Sequence, residues 1–298
     1  MEKTSPEEII DHVEKLLKER GTKPLEMARN IILQEKIECK EVHEALEYFM
    51  TKCWQDLARP TLLSLGCEAV GGDPEATTSI AVALSLISGG IDIHDDIIDQ
   101  SKTKRKVATV FGKFGKDIAL LVGDALMFKG LTLLQDALKN NVSTEKASKI
   151  INVVNGMFFE LGDAEALELQ LRGKVNITLE EYLRIVRKKA ADVEAHTRIS
   201  AIIGGGSEKE VEALANYGRL LGMILILRDD LLDVDDLKEF SHRINKECLP
   251  LPVIYALQSA ENRAEIISVL QRKRKTRKDA GVVRQITINA NGYGQSEK

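Results

Sequence analysis

The chain has 298 residues, 44% hydrophobic and 30% charged, with 42 Lys and Arg against 46 Asp and Glu, for a formal net charge of -4. Mixed-sign charge and only 6 Pro exclude a disordered chain and leave no overall basic field, so no nucleic-acid partner is expected. Cys39, Cys53, Cys67 and Cys248 lack any CxxC or Cys/His metal spacing and read as the reduced thiols of a cytoplasmic protein.

Helical periodicity runs through almost the whole chain. Ser5-Pro6-Glu7-Glu8, followed by Ile9, Ile10, Val13, Leu16 and Leu17, spells a capped amphipathic helix with acids at its positive end, and it lacks the apolar run of a signal peptide. Gly21-Thr22-Lys23-Pro24 is expected to end that helix. Further helices are predicted over residues 24–39, 42–57, 74–101, 116–138, 143–171, 178–203, 209–234 and 250–270. Residues 1–40 are thus N-terminal helices. Residues 272–298, opening on Arg272, Lys273, Arg274, Lys275, Arg277 and Lys278, read as a basic, flexible segment with a frayed end at NANGYGQSEK. Almost nothing alternates like a strand, and no uninterrupted apolar run is long enough to cross a membrane. Short breaks such as Gly71-Gly72-Asp73-Pro74 and Gly204-Gly205-Gly206 favour antiparallel neighbours. The expected fold is all-α, one domain over residues 1–298, a helical bundle with a central cavity.

Two copies of Asp-Asp-x-x-Asp lie inside apolar runs: Asp95, Asp96 and Asp99, then Asp229, Asp230 and Asp233. Residues i and i+4 share a helix face and i+1 flanks it, so each motif projects three carboxylates from about one turn. Like charges that close repel and raise one another's pKa unless a cation sits between them; Mg2+ is the natural counter-charge. Mg2+ held by few carboxylates completes its shell with water and substrate phosphates, so the pair of motifs points to a diphosphate held through metal bridges. One such motif alone would be a weak signal, because the spacing also arises on solvated helix faces.

In this order the motifs resemble the trans-isoprenyl diphosphate synthase (polyprenyl synthetase) family, helical enzymes that lengthen an allylic diphosphate with isopentenyl diphosphate. The likeness covers roughly residues 45–292. It includes Arg59-Pro60 with Thr61-Leu62-Leu63, Lys104-Arg105 with Thr109, Gly123-Asp124, Lys189, and Lys246 ahead of Leu249-Pro250. The resemblance implies that the six aspartates bind about three Mg2+ and that Lys104, Lys189 and Lys246 draw charge from the ionising allylic diphosphate. Arg59 and Arg105 would hold isopentenyl diphosphate. The family also implies a homodimer.

Several positions depart from the family pattern: Asp56 where a diphosphate-binding Lys is expected, Ser88 for a His or Gln, Leu225-Ile226 for Phe-Gln, Glu165 and Glu168 for Gln-x-x-Asp, and Lys189-Ala190 for Lys-Thr. The isopentenyl diphosphate half is thus more eroded than the metal half. Three functions stay open: an elongating prenyltransferase, a terpene-synthase-type lyase, and a non-catalytic or regulatory subunit of a heteromeric synthase. In the family the allylic tail runs back along the first motif's helix, where Gly90 and Ile91 stand in the floor positions with Ile87 deeper. Gly90 leaves room and argues for a product of C20 or longer, unless it serves close helix packing or Phe128 supplies the floor.

Overall fold

The computed structural model describes residues 5–290, apart from the side chain of residue 260; the sequence's last eight residues, including most of the expected frayed end, lie outside that range. The fold is all-α. By internal packing the chain forms two compact units, the described residues up to Val154 with Ala195–Ala215, and Asn155–Glu194 with the described residues from Asn216 on.

In the first unit, α1 (Pro6–Leu33) starts at a capping box in which Ser5 and Glu8 bond each other's backbone N–H. It does not end at Gly21, as expected, but runs through Pro24. A Cβ on Gly21 would lie 2.5 Å from the Leu57 carbonyl oxygen, so the glycine serves close approach and not a turn. Burial of Leu25, Ala28 and Ile32 beyond it holds the helix against a proline penalty of about 3 kcal/mol. The helix expected over 42–57 is instead α2 (Lys40–Tyr48) and one π-turn at Phe49–Cys53, after which Trp54 turns extended and stacks on Phe49 at 5.6 Å. An unexpected α3 (Ala58–Ala69) follows.

The motif-bearing α4 (Thr78–Ile98) is the buried spine of this unit. Residues 74–98 are apolar and long enough to cross a membrane, but 72% of the most apolar window is buried in protein, as in a core helix. A two-residue-stranded hairpin, Thr103–Lys104 (β1) paired with Val107–Ala108 (β2), leads to α5 (Val110–Phe114) and α6 (Lys116–Asn141). The core gathers Leu46, Phe49, Met50, Leu86, Ile93 and Leu126 around α4.

The next helix is α7 (Thr144–Leu171). The helix expected over 178–203 is interrupted at Ala190 into α8 (Leu179–Lys189) and α9 (Ala191–Gly204). Arg219 donates to the Arg187 carbonyl at 2.6 Å, the oxygen that a continuous helix would offer to the N–H of Ala191. Then come α10 (Glu208–Asp235), α11 (Leu237–Lys246), α12 (Leu251–Ala256), α13 (Ala260–Leu270) and α14 (Arg277–Asn289). The flexible segment expected from residue 272 is corrected by α14. Thr276 caps it with Asp279, and Val283 and Ile286 pack into the second unit's core with Phe240, Ile244 and Ile254.

Candidate active site

Asp95, Asp96 and Asp99 lie on the last turn of α4, where Asp99 is the cap residue. Their first partner is Lys104. Its ammonium lies 3.1 Å from Asp92, 3.6 Å from Asp95 and 2.9 Å from Asp96. The hairpin aims it there by turning at Arg105 and Lys106, which both adopt positive φ, 49° and 68°, as a two-residue primed turn requires and as non-glycine residues rarely do. The strain is held by buried Thr109, which donates to the Ser101 carbonyl, and by Tyr48, whose hydroxyl bonds the Ala108 carbonyl. Arg105 is exposed at the tip.

Burial pushes the Asp96 carboxyl up to about 7, with Asp92 and Asp95 adding to the rise and Lys104 opposing it. Burial acts against the charge on Lys104, yet the three carboxylates hold its pKa well above the ordinary lysine range. Asp95 and Asp99 bring carboxylate oxygens within 4.8 Å of one another, a spacing that one divalent ion can bridge. This pair fits Mg2+. Asp92, one turn before Asp95, is a full partner of Lys104. His94 Nε2 lies 3.3 Å from Asp124, over Gly123.

In the second unit α10 carries Asp229, Asp230 and Asp233, the three acids expected to ligate a metal. Asp230 is fully buried. One oxygen takes the Tyr182 hydroxyl and the Leu251 N–H at 3.0 Å; the other takes Arg243 at 2.6 Å. Arg243 also bonds Asp233 at 2.7 Å. Both Asp230 oxygens are occupied by strong donors, so as they stand Asp230 and Asp233 do not fit a divalent ion between them. Asp229 is 53% exposed and pairs with its neighbour Arg228 at 2.8 Å. Burial raises the Asp230 pKa while Arg243 pulls it down.

Lys189, at the end of α8, is clamped by Glu165 at 3.0 Å and by Glu168, the acids that stand where the family has Gln-x-x-Asp. Lys246 ends α11 exposed, beside Glu247, which accepts from His242 at 3.3 Å and takes Arg243. Glu165, Glu168, Tyr182, Arg243 and Glu247 were not identified as site residues from sequence; the Arg243 pairing depends on a helix break after Asp235 that spacing alone does not fix. Burial pushes the Cys53 thiol up to about 11 and that of Cys248 up to about 12, so neither is a thiolate nucleophile at neutral pH.

Arg59 is turned onto Asp56. Its guanidinium lies 2.8 Å from the carboxylate, which also caps the start of α3 by accepting the N–H groups of Ala58 and Arg59. At the expected chain-length positions α4 and α6 approach closely. A Cβ on Gly90 would sit 2.4 Å from Met127 Cγ and 2.7 Å from the Gly123 carbonyl oxygen, so Gly90 lets α4 and α6 touch and opens no room for a tail. Ile87 is fully buried against Gly130 of α6, and Ile91 is half-buried. Phe128 is 69% exposed and provides no floor within its own unit. Gly90→Ala is therefore expected to destabilise the protein by about 1–3 kcal/mol through overpacking and to leave product length unchanged. Urea unfolding and chromatography of the product check this, and a shortened product from a protein of full stability would refute it.

A family model described as polyprenyl synthetase matches residues 39–287. The chain is 34% identical over 220 residues to a short chain isoprenyl diphosphate synthase of Methanothermobacter thermautotrophicus, covering 71% of this chain and 66% of that protein. It is 32% identical over 196 residues to a geranylgeranyl diphosphate synthase of Methanosarcina mazei, covering 65% and 59%. The matched stretches span just under two thirds or less of these relatives' own length. Among solved structures, the geranylgeranyl pyrophosphate synthetase of Pyrococcus horikoshii Ot3 superposes with a TM-score of 0.82 at 25% identity, over 96% of this chain and 88% of that one. With the match spanning most of its length and both aspartate motifs carried in order, the chain belongs to the polyprenyl synthetase family.

Proposed function

We propose that the chain is a Mg2+-dependent prenyltransferase that condenses an allylic prenyl diphosphate with isopentenyl diphosphate, giving an all-trans polyprenyl diphosphate of C20 or longer. The observation that carries it is the Asp95–Asp99 pair with Lys104 poised on the adjacent acids. Asp95 and Asp99 would hold the ion, which when bound supplies the positive charge that offsets the departing diphosphate. Lys104 would then turn from its carboxylates to the phosphate oxygens, with Lys189 and Lys246 adding charge to the same leaving group. Arg59 and Arg105 would hold isopentenyl diphosphate so that, once the allylic C–O bond has broken, its double bond attacks the allylic cation to form the new C–C bond, and the departed diphosphate takes the proton lost from the condensed product. The reading takes the chain as one cytoplasmic catalytic domain.

The C20 or longer product is supported by relatives named as geranylgeranyl diphosphate synthases and by the absence of any aromatic residue from α4. A homodimer through α6 is supported by the exposed Leu120, Leu121, Phe128 and Leu131 on that helix. A second reading has its own observation: the Asp56 carboxylate neutralises Arg59, which favours a subunit that binds a prenyl diphosphate but needs a partner chain for isopentenyl diphosphate.

The test is a product assay of the pure chain with labelled isopentenyl diphosphate, Mg2+ and C5 to C20 allylic primers. A longer diphosphate that disappears with EDTA is expected. No incorporation with any primer sinks the reading for the lone chain. Incorporation restored only on mixing with a second synthase chain supports the subunit reading, and hydrocarbon or alcohol released without isopentenyl diphosphate supports a lyase.

A further inference from the structure

The second aspartate motif carries its own fixed cation. The Arg243 guanidinium spans Asp230 and Asp233 at 2.6 and 2.7 Å, and its Nε lies 3.3 Å from Glu247. Only 14% of that side chain is exposed. An arginine keeps its proton in any protein environment, and its planar fork matches carboxylates in a fixed geometry, so this charge is permanent and placed. The placement is built into the fold. Asp236 caps α11 by accepting the N–H groups of Lys238 and Glu239, which sets the helix phase; Phe240 and Ile244 are buried on one face, and Arg243 is presented to α10 about two turns from the cap. Asp230 is locked from its other side by Tyr182 and the Leu251 N–H.

A divalent ion between Asp230 and Asp233 would have to expel this guanidinium and leave a buried charge without its partners, among them Glu247. The trio's self-repulsion, which elsewhere favours a metal, is already relieved. We infer that Arg243 replaces a divalent ion at the second motif, so that Asp230 and Asp233 hold a guanidinium and are not metal ligands, while Asp229 remains the carboxylate of the three open to an ion. This rests on the reading of the chain as a prenyl diphosphate synthase. It makes the divalent-ion requirement of this chain smaller than six ligating aspartates would give.

The test uses Mn2+, which is paramagnetic and scatters anomalously, with the whole chain and inorganic diphosphate as the probe. Anomalous diffraction locates the ions and an electron paramagnetic resonance titration counts them. Wild type is expected to place no Mn2+ on Asp230 or Asp233, and Arg243→Gln is expected to gain one Mn2+ per chain. Mn2+ bonded to Asp233 of wild type with the guanidinium displaced overturns the inference, as does an unchanged count in a folded Arg243→Gln variant. If that variant does not fold, the wild-type map alone decides. The two readings fail separately. A wild type that elongates a primer with Mn2+ on Asp233 removes only the inference, and one that elongates nothing while leaving Asp230 and Asp233 free of Mn2+ removes only the proposed function.

Discussion

Asp230→Ala is expected to destabilise the protein by about 3–5 kcal/mol, whereas Asp229→Ala, one residue earlier on the same helix, should change stability by less than about 0.5 kcal/mol. The two aspartates are indistinguishable by motif and opposite by environment. Asp230 is fully buried and accepts from Tyr182, Arg243 and the Leu251 N–H. Its removal strands a guanidinium that is itself nearly enclosed, together with a buried phenol and a backbone donor at the start of α12. The loss of one member of a buried ion pair is far more damaging than the net value of the pair, because the other charge stays desolvated. Asp229 is half exposed and its pair with Arg228 is a surface contact, a class with a median value of about 0–1 kcal/mol. Urea unfolding followed by far-UV circular dichroism compares the midpoints at matched slopes. Equal losses in the two variants would show that the clamp around Asp230 does not contribute as its geometry demands.

That contrast marks where sequence reasoning runs out. Both aspartate motifs and the all-helical class were legible, because each depends on spacing within one or two helical turns. What could not be read depends on contacts between residues that spacing does not relate. Arg243 follows Asp233 by ten positions across a helix break, and only the cap at Asp236 signals that a new helix brings it back. Lys189 and its two glutamates sit on separate helices, as do Gly90 and the Gly123 carbonyl. Gly21 and Gly90 misled for one shared reason. A glycine can mark a turn, an open space or a tight contact, and only the neighbour that occupies the missing Cβ's place separates the three. The continuity of α1 through Pro24 likewise follows from burial of its far end, a tertiary effect that overrides local propensity.

Asp95→Asn is expected to lower kcat/KM by on the order of 10²–10³ while leaving the unfolding midpoint unchanged within about 0.5 kcal/mol. The substitution keeps shape and helix but removes one negative charge from the pair that fits an ion. Asp95 is the better choice than Asp96 because it is partly exposed and meets Lys104 at a loose 3.6 Å, so little packing or ion pairing is lost with it. Asp96, by contrast, is buried and touches the same ammonium at 2.9 Å, and its substitution would mix stability with function. Since the charge developing on the leaving diphosphate is greatest in the transition state, weaker ion binding should reduce kcat as well as raise the Mg2+ concentration needed for half-maximal rate. Lys104 gives the internal control. With one acid gone it is held by Asp92 and Asp96 alone, and that residual pairing keeps it in place for the phosphate oxygens. Steady-state rates across a Mg2+ series, with both substrates saturating, separate the two effects. A variant within threefold of wild type in both kcat and Mg2+ dependence would mean that the last turn of α4 is not where the metal acts, and the ionisation chemistry assigned to it would have no seat in this chain.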